Sequence, residues 1–316
     1  MAMALSNSIP ANTIKVGKKK ILEAVEYDKI CDFIHLYDGI TIDCELELYN
    51  NFNYVDRKTL KSILQTEWSS LLRSQHWRYE SLAQKHLKLF QDQTKKNDDP
   101  TILIKLAVAE RMTPVSLCRS ILQEKYKFEN KSDLSRLLKY PHLIDDPILC
   151  ANVMQCICSD IQEGPLVDLR RRIIGEEYEF KLKELARNAG MHYYTEHDLR
   201  RLGYDKTPDL KMILPFLYKG EQVNWIESKA GFGDVKTHKW NIRQQLNSYS
   251  NRFGAGIVIY WFGYHNELPD LSENKDGIIV LDDFPEVQHI TLLNLEQESD
   301  TACIFDVNDN STAEFL

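Results

Sequence analysis

The sequence of 316 residues lacks any uninterrupted apolar run of about 18 residues, the length that a membrane-spanning helix requires. Its opening stretch, MAMALSNSIPANTIKVGKKK, also lacks an apolar block followed by a cleavage-like site, so a secretory signal is not predicted. These absences argue against a membrane partner. We expect the protein to reside in the nucleus and the cytoplasm.

The seven cysteines lack the regular spacing of a disulfide framework. The run CANVMQCIC contains Cys150, Cys156 and Cys158, and its spacing is not that of a zinc site. A helix that buries these thiols is the simpler interpretation, and a metal cluster is the alternative. We expect the cysteines to be reduced.

An excess of positive charge is missing as well, since the formal net charge is −8. The acidity is local, because residues 251–316 contain 2 basic and 13 acidic side chains, whereas residues 1–250 carry a net charge of +3. A nearly neutral body can still present a basic face. The total charge therefore neither supports nor excludes a nucleic-acid partner.

The first half of the chain is predicted to be helical. Residues 1–26 show no periodicity and are interpreted as a flexible lead, whereas apolar residues recur at helical spacing from 27 to 160. One such stripe contains Leu60, Ile63, Leu64, Trp68, Leu71 and Leu72. Thr113 is a predicted N-cap residue and Pro114 a first helical residue, so a further helix begins here.

This helix and the one before it, in TILIKLAVAERMTPVSLCRSILQEKY, are short and closely joined, which is the pattern of a helix-turn-helix. The second helix would then offer four side chains to a DNA groove, namely Ser116, Arg119, Ser120 and Gln123. Arg119 and Gln123 are the nucleic-acid-binding residues on this interpretation. Ordinary packing of a helix pair is the alternative, because such pairs are common.

The second half of the chain differs in character. A charged helix at about 166–189, a short strand in MHYY, a hairpin, a helix at about 237–251 and the apolar strand GAGIVIYWF predict an α/β domain over residues 161–290. Residues 291–316 are acidic and carry few signals of order, so they are interpreted as a tail.

The hairpin, within GYDKTPDLKMILPFLYKGEQVNWIESKA, carries charged residues at its open end. With a turn at residues 218–220, Asp209 and Glu227 face each other, and Lys229 projects on the same face as Glu227 while the Ser228 side chain points to the other. Two adjacent carboxylates repel unless a proton or a divalent cation lies between them, and oxygen ligands suit Mg²⁺ or Mn²⁺. From spacing alone, a cross-strand salt bridge is an equally good interpretation.

A third carboxylate is expected from the charged helix. Its sequence GEEYEFKLKELARNAG offers Glu176, Glu177, Glu179 and Glu184. The apolar stripe of the same helix is predicted to contain Ile174, Tyr178, Leu182, Leu185 and Ala189. At about 100° per residue, Glu179 lies roughly 80° from the centre of that stripe, and the other acids lie about 120° to 140° away. Glu179 is therefore the first choice, and Glu176 is the reserve.

A glutamate on a first helix, Pro-Asp before one strand and Glu-x-Lys on the next resemble the motif of the PD-(D/E)xK nuclease superfamily. In this sequence the motif contains Glu179, Pro208, Asp209, Glu227, Ser228 and Lys229. The following QQLNSY places Gln245 and Tyr249 where several branches have a Gln-x-x-x-Tyr element. The longer words GPLVD, GYDKTPD, WIESKA and NRFGAGIVIYW are similar to the TPD-motif family, whose animal members are called codanin-interacting nucleases. This resemblance extends from about 27 to 290.

The resemblance implies a helical region followed by a restriction-endonuclease-like α/β domain. It also implies a metal-dependent nuclease that hydrolyses phosphodiester bonds, in DNA ahead of structured RNA, with codanin as protein partner. Asp209, Glu227 and the Ser228 backbone carbonyl would bind Mg²⁺ or Mn²⁺. Lys229 would position or deprotonate the attacking water, and Glu179 would complete the metal shell.

Gln245 and Tyr249 would steady the substrate backbone, and simple packing is the alternative for both. His238 is expected to be an exposed loop residue with no catalytic role. Three tryptophans are expected in the core: Trp225, Trp240 and Trp261.

Two other functions remain open beside the nuclease. One is a nuclease-fold binding partner of codanin with weak or no catalysis, and the other is a helix-turn-helix DNA-binding regulator. The longer lead and the acidic tail depart from the family, so no function of these ends is inherited.

Overall fold

The computed structural model describes residues 18–271 and 277–293, and for residues 73–81 it describes the backbone alone. Most of the predicted lead lies outside the described residues, as does the predicted tail from residue 294 onward.

The prediction of a helical N-terminal region is confirmed. The helices are α1 (Ala24–Leu36), α2 (Thr41–Asn51), α3 (Arg57–Ser81), α4 (Ala83–Thr94), α5 (Ile102–Ala109), α6 (Pro114–Tyr126), α7 (Lys131–Lys139) and α8 (Pro147–Ser159). Within the described ranges, no helix is both long and apolar enough to span a bilayer.

The helix start predicted at Thr113 is confirmed, because the Thr113 side chain accepts a hydrogen bond from the Ser116 N–H at 3.3 Å and Pro114 occupies the first turn. The helix that begins there, α6, contacts α3, α4, α5, α7 and α8. Its apolar side chains belong to one core with those of α4, α5 and α8. α6 is therefore the central helix of this region.

The second half of the chain contains α9 (Pro165–Asn188), β1 (Tyr193–Thr195), α10 (Glu196–Arg201), β2 (Leu210–Tyr218), β3 (Glu221–Lys229), α11 (Val235–Asn241), α12 (Asn247–Phe253), β4 (Gly256–Tyr260), β5 (Ile278–Leu281) and β6 (Ile290–Leu292). A π-helical turn, Ile242–Leu246, joins α11 to α12 without a break.

The strands of the described chain form one mixed sheet in the order β1-β2-β3-β4-β5, with β6 also paired to β2. β2 and β3 are antiparallel, whereas β3, β4 and β5 are parallel to one another. Since β2 runs against β3, the beginning of β2 lies at the same edge as the carboxyl ends of β3 and β4.

Helices cover both faces of this sheet. α9 packs on one face through the predicted apolar stripe, in which Tyr178 and Leu182 are buried against Ile257 and Ile259. The π turn and α12 pack on the opposite face, against Trp225 and its neighbours on β4. The catalytic motif of the resemblance thus lies at a sheet edge between two helices.

The β2–β3 hairpin differs from its predicted register. The loop has two residues, Lys219 and Gly220, both with positive φ (51° and 88°), instead of the predicted three. A bulge sets residues 212–215 of β2 opposite Asn224 alone, and Pro215 lies in this bulge, where its missing N–H costs no ladder bond. Because the two offsets cancel, the open end keeps the predicted pairing.

An N-terminal segment joins the two halves of the molecule. The Leu22 N–H donates to the Tyr264 carbonyl at 3.1 Å, and the Asn266 N–H donates to the Leu22 carbonyl at 2.9 Å. The Leu22 side chain is fully buried in a core formed by α1, α2 and α3. Leu22 lies within the predicted lead, so ordered packing begins earlier along the chain than the sequence indicated.

Helix α3 makes further contacts with the loops beyond β3 and β4. Thr59 Oγ1 donates to the Phe262 carbonyl at 2.6 Å, and the Phe232 N–H donates to Ser62 Oγ at 2.8 Å. The helical region therefore covers the sheet edge at which the strand ends meet.

Two sequence predictions on α11 are wrong. His238 is fully buried on this helix, where its Nδ1 lies 2.9 Å from the Tyr260 hydroxyl, and it is not an exposed loop residue. Trp240 is 59% exposed and lies outside the core. The other two predicted core tryptophans, Trp225 and Trp261, are buried.

The contact between Gly256 and Trp225 gives a test of this packing. A Cβ at Gly256 would lie 2.2 Å from the Trp225 indole, so Gly256→Ala is expected to destabilise the protein by about 1–3 kcal/mol. Thermal and denaturant unfolding measure this loss. Gly175→Ala is the matched control, because a Cβ there meets no atom within 4 Å. Replacing this helical glycine with alanine is expected to stabilise the protein by about 0.5–1 kcal/mol. Equal stability of the two variants would contradict the packing described.

Candidate active site

The open end of the β2–β3 hairpin brings two carboxylates together. The Asp209 N–H donates to Glu227 Oε2 at 3.3 Å, and the Ser228 N–H donates to Asp209 Oδ2 at 2.7 Å. Each acid is therefore tied to the backbone of the opposite strand. Glu227 is 5% exposed and Asp209 is partly buried, so both lie in a poorly hydrated position.

Lys229 supplies the positive charge at this pair. Its Nζ donates to Glu227 Oε1 at 2.7 Å and to Gln245 Oε1 at 2.6 Å. Lys229 thus bonds directly to Glu227 and acts on Asp209 through its charge alone. The ammonium is consequently held in one place by a carboxylate from β3 and an amide from the π turn.

The predicted alternation along β3 is observed. The Ser228 side chain points away from the acids and accepts a hydrogen bond from Trp261 Nε1 at 2.8 Å. Trp261 in turn packs against Tyr178 of α9. Glu227 and Lys229 thus face the π turn and α12, while Ser228 faces α9.

Tyr249 supports the loop that carries Asp209. Its hydroxyl donates to the Thr207 carbonyl at 2.9 Å, and its ring packs edge-on against Trp225 with centroids 5.5 Å apart. The side chain is buried. Of the two interpretations drawn from the sequence for Tyr249, the geometry favours packing, whereas Gln245 reaches the charged group directly.

The two acids resist ionisation in this environment. Burial raises the pKa of Asp209 well above its usual value, and the neighbouring Glu227 and Glu179 raise it further. Burial also raises the pKa of Glu227, although Lys229 opposes the shift. The carboxylates behave as one coupled pair in which a single ammonium offsets two charges.

The expected third carboxylate approaches this pair without touching it. Glu179 contributes to the raised pKa of Asp209, and its ion pair is with Lys183 at 3.8 Å. The reserve, Glu176, is more exposed and pairs with Arg172. The angular position of Glu179 on α9 therefore selected the glutamate of this helix that acts electrostatically on Asp209.

Glu196 is an acid that sequence reasoning missed. It is the first residue of α10, pairs with Arg200, and raises the pKa of Glu227. The signal that could have found it is the capping box formed by Thr195 and Asp198, which marks a helix start beside the hairpin.

A polar cleft of about 480 Å³ adjoins the charged group. Ala230, which follows Lys229 directly, lies in its wall, as do Arg171 of α9 and Thr237 of α11. The opposite wall belongs to α3 and contains Ser62, Gln65, Thr66 and Ser69. A ligand in this cleft would lie within reach of the end of β3.

The predicted DNA-reading side chains lie on α6. Gln123 Nε2 donates to the Phe128 carbonyl at 2.9 Å, and Arg119 is partly exposed. Two acids cap the beginning of this helix, since Ser116 donates to Glu163 and the Val115 N–H donates to Asp160 Oδ2. DNA contact by Arg119 and Gln123 stays a prediction.

The carboxylate oxygens of Asp209 and Glu227 are better candidate ligands for a divalent cation than the cysteine thiols are. No group of three or more His, Cys, Asp and Glu side chains in the described ranges has the arrangement of a metal site, the CANVMQCIC run included. Asp209 and Glu227 nevertheless offer two carboxylates beside one ammonium; burial raises both of their pKa values, and repulsion by Glu227 raises that of Asp209 further. Added positive charge would relieve that repulsion.

Comparison with known proteins gives concordant matches. The family described as "Protein of unknown function TPD sequence-motif" matches residues 145–284. The CDAN1-interacting nuclease 1 of Xenopus laevis is 34% identical, covering 84% of this chain and 89% of the relative. Its namesake of Danio rerio is 34% identical with 86% and 91% covered, and that of Homo sapiens 33% identical with 84% and 96% covered. No solved structure matches the chain.

Neutralising one member of the pair tests the electrostatics of the metal-free site. The native pKa of the pair lies above that of the unfolded chain, so native protein keeps protons that unfolded chain releases as the pH rises from about 4. The pair therefore destabilises the fold increasingly toward neutral pH. In EDTA, we expect Asp209→Asn to be more stable than wild type by about 1–2 kcal/mol at pH 8, with the difference shrinking in acid.

Denaturant unfolding at several pH values measures this difference. Asp205→Asn is the matched control, because Asp205 is exposed, lies four positions upstream and pairs with Arg252, and it should show no such gain. If Asp209→Asn were less stable than wild type at pH 8, the group would be a favourable cross-strand salt bridge.

Proposed function

The chain belongs to the CDAN1-interacting nuclease 1 family, and from this we propose that it is a divalent-metal-dependent nuclease with a PD-(D/E)xK active site. Its reaction is hydrolysis of phosphodiester bonds in DNA or structured RNA. The observation that carries the proposal is the pair of carboxylates, Asp209 and Glu227, held at a strand end beside Lys229. The name of these relatives, CDAN1-interacting nuclease 1, supports the nuclease activity itself.

Asp209, Glu227 and the backbone carbonyl of Ser228 are the proposed ligands of Mg²⁺ or Mn²⁺. Such a cation supplies Lewis-acid neutralisation of charge on the scissile phosphate and lowers the pKa of a bound water. The chain's own contribution is to hold two anionic oxygens at a short separation, which the cross-strand hydrogen bonds of both acids achieve.

Lys229 is proposed to act on the phosphate and the attacking water. Gln245 and Glu227 hold its ammonium at two fixed acceptors, which leaves the third N–H of Nζ to donate to a substrate oxygen. In hydrolysis, the water oxygen bonds to phosphorus, the bond to the leaving oxygen breaks, and a proton passes to that oxygen. We assign Tyr249 a positioning role, because its hydroxyl holds the Thr207 carbonyl beside Asp209.

Removal of Asp209 should show whether Asp209 and Glu227 form a metal site or have a structural role alone. We expect calorimetric titration of wild type with Mn²⁺ to show binding that is lost in Asp209→Ala, and cleavage to fall at least about 100-fold in Asp209→Ala and Lys229→Met. Labelled single-stranded, duplex, flap and junction substrates measure the cleavage. Lys229→Met should keep metal binding, and Asp205→Ala should resemble wild type in both respects.

The same Mn²⁺ titration tests the role of Glu179. Glu179→Gln is expected to weaken Mn²⁺ binding several-fold, because it removes negative charge that acts on Asp209, whereas Glu176→Gln should bind as wild type does. Wild type that binds no metal and cuts no substrate would make the pair a vestige and would favour protein binding as the function.

Binding to codanin is the second candidate function. The relatives are named as CDAN1-interacting, and α9 presents an exposed apolar stripe that a protein partner would cover. The stripe contains Leu166, Leu169, Ile173 and Phe180, which are 43–65% exposed. At about 100° per residue these four positions fall within roughly 60° of one another on the helix. The helix-turn-helix regulator receives less support, because acids cap the helix that would enter the groove.

Charge within this stripe should uncouple the two functions. Ile173→Glu is expected to weaken codanin binding at least about tenfold, since the introduced carboxylate would have to be buried against codanin. It should leave nuclease activity unchanged, and Asp209→Ala should show the reverse pattern. Calorimetry with purified codanin and the cleavage assay give the two readouts. Leu143→Glu, on a different exposed apolar residue, is the control, and equal effects of both variants would argue against the stripe.

A further inference from the structure

The helix that supplies Gln245 has a basic outer face with an exposed tryptophan. Lys236 and Arg243 are exposed, Lys239 is partly exposed, and Trp240 is 59% exposed. At about 100° per residue, the three positions on α11 lie within an arc of about 100°, and Arg243 follows one turn later. We call Lys236, Lys239, Trp240 and Arg243 the Trp240 face.

The cations of the Trp240 face are not occupied by ion pairs. Among the side chains that the structure describes, no carboxylate lies within 4 Å of Lys236, Lys239 or Arg243, and Arg243 Nε donates instead to the Lys239 carbonyl at 3.2 Å. Lys206 adds a fourth cation, since its Nζ donates to the Gln244 carbonyl at 3.2 Å. In an acidic chain, such a cluster keeps its charge available for phosphate groups.

The tryptophan gives the face a second chemistry. An indole that is more than half exposed on a helix offers a flat apolar surface on which a planar ligand can stack. Unpaired bases stack on aromatic side chains, whereas the bases of a duplex are already stacked on one another. An exposed Trp between cations therefore fits a single strand.

The Trp240 face lies next to the polar cleft. Trp240 precedes Gln245 by five positions, which is about 7.5 Å of helical rise and roughly 140° around the axis, so Gln245 contacts Lys229 on the inner side while Trp240 faces outward. Thr237 of the same helix lines the polar cleft of about 480 Å³ together with Ala230. That volume lies within the range of small-ligand pockets.

We propose that the Trp240 face binds single-stranded nucleic acid and leads the strand into the cleft beside Lys229. A base stacks on Trp240, and the flanking phosphates contact Lys236, Lys239 and Arg243. The inference takes the identity of the neighbouring site from the proposed nuclease function and adds the substrate class.

Binding is measured in EDTA, so that cleavage plays no part. Fluorescence anisotropy with labelled oligothymidylate, oligouridylate and a duplex of equal length is expected to show tighter binding of the single strands. Trp240→Ala should weaken single-strand binding about tenfold or more, because one stacked base contributes about 1–3 kcal/mol. Trp240→Phe should retain most of the affinity but lose the quenching of protein fluorescence by oligonucleotide. Lys236→Glu should reduce the slope of log affinity against log salt by about one unit, which corresponds to the loss of one phosphate contact.

Tyr140→Ala is the matched control, since Tyr140 is a 52% exposed aromatic in the helical region, and it should bind as wild type does. Unchanged affinity of Trp240→Ala, equal losses in Tyr140→Ala, or a preference for duplex would overturn the inference. A difference between the two oligonucleotides identifies DNA or RNA as the strand. If wild type binds single strands in EDTA but cuts nothing with Mn²⁺, the proposed function fails while this inference stands. Cleavage without such binding would sustain the proposed function and overturn this inference.

Discussion

Two carboxylates share one ammonium in a position from which most water is excluded, and the surrounding elements hold that group against its own repulsion. Burying an ion costs several kcal/mol even after the structure relaxes, and the hydrogen bonds to Asp209 and Glu227 offset part of that cost. Each acid accepts from the backbone of the opposite strand, Gln245 holds Lys229, and Tyr249 holds the loop before Asp209. Stability is thus lower locally, in a geometry that a ligand can exploit.

The helical segment between β3 and β4 presents Trp240 to solvent and Gln245 to Lys229, and its helical period changes along its length. Short π segments inside α-helices are frequent at functional sites, and the turn Ile242–Leu246 is of this kind. The wider turn changes the phase between α11 and α12. Within α11 itself, His238 and Trp240 are about 200° apart, so His238 lies inside against Tyr260 and Trp240 lies outside. After the wider turn begins, Gln245 faces the charged end of β3.

Alternation along β3 was enough to predict that Glu227 and Lys229 share a face, and pairing across the hairpin was enough to bring Asp209 to Glu227. The bulge was not predicted, although Pro215 inside an apolar strand was a visible sign of it. On α11, the unrecognised signal was Asp234, which caps the helix by accepting from the Thr237 N–H. Without that cap, the sequence predicts a helix that begins at about 237 instead of Val235, with His238 in the loop before it. The phase change within the helix has no local sequence signature, because tertiary packing decides it.

Leu22 ties the first helices to the loop after β4, through hydrogen bonds to Tyr264 and Asn266. During synthesis these partners leave the ribosome about 240 residues later, which at about 5–20 residues per second is a delay on the order of tens of seconds. Throughout that time the buried position of Leu22 against this loop cannot form. The residues around Leu22 are therefore made early and reach their native contacts late, so the helical half is completed only after most of the sheet has been synthesised.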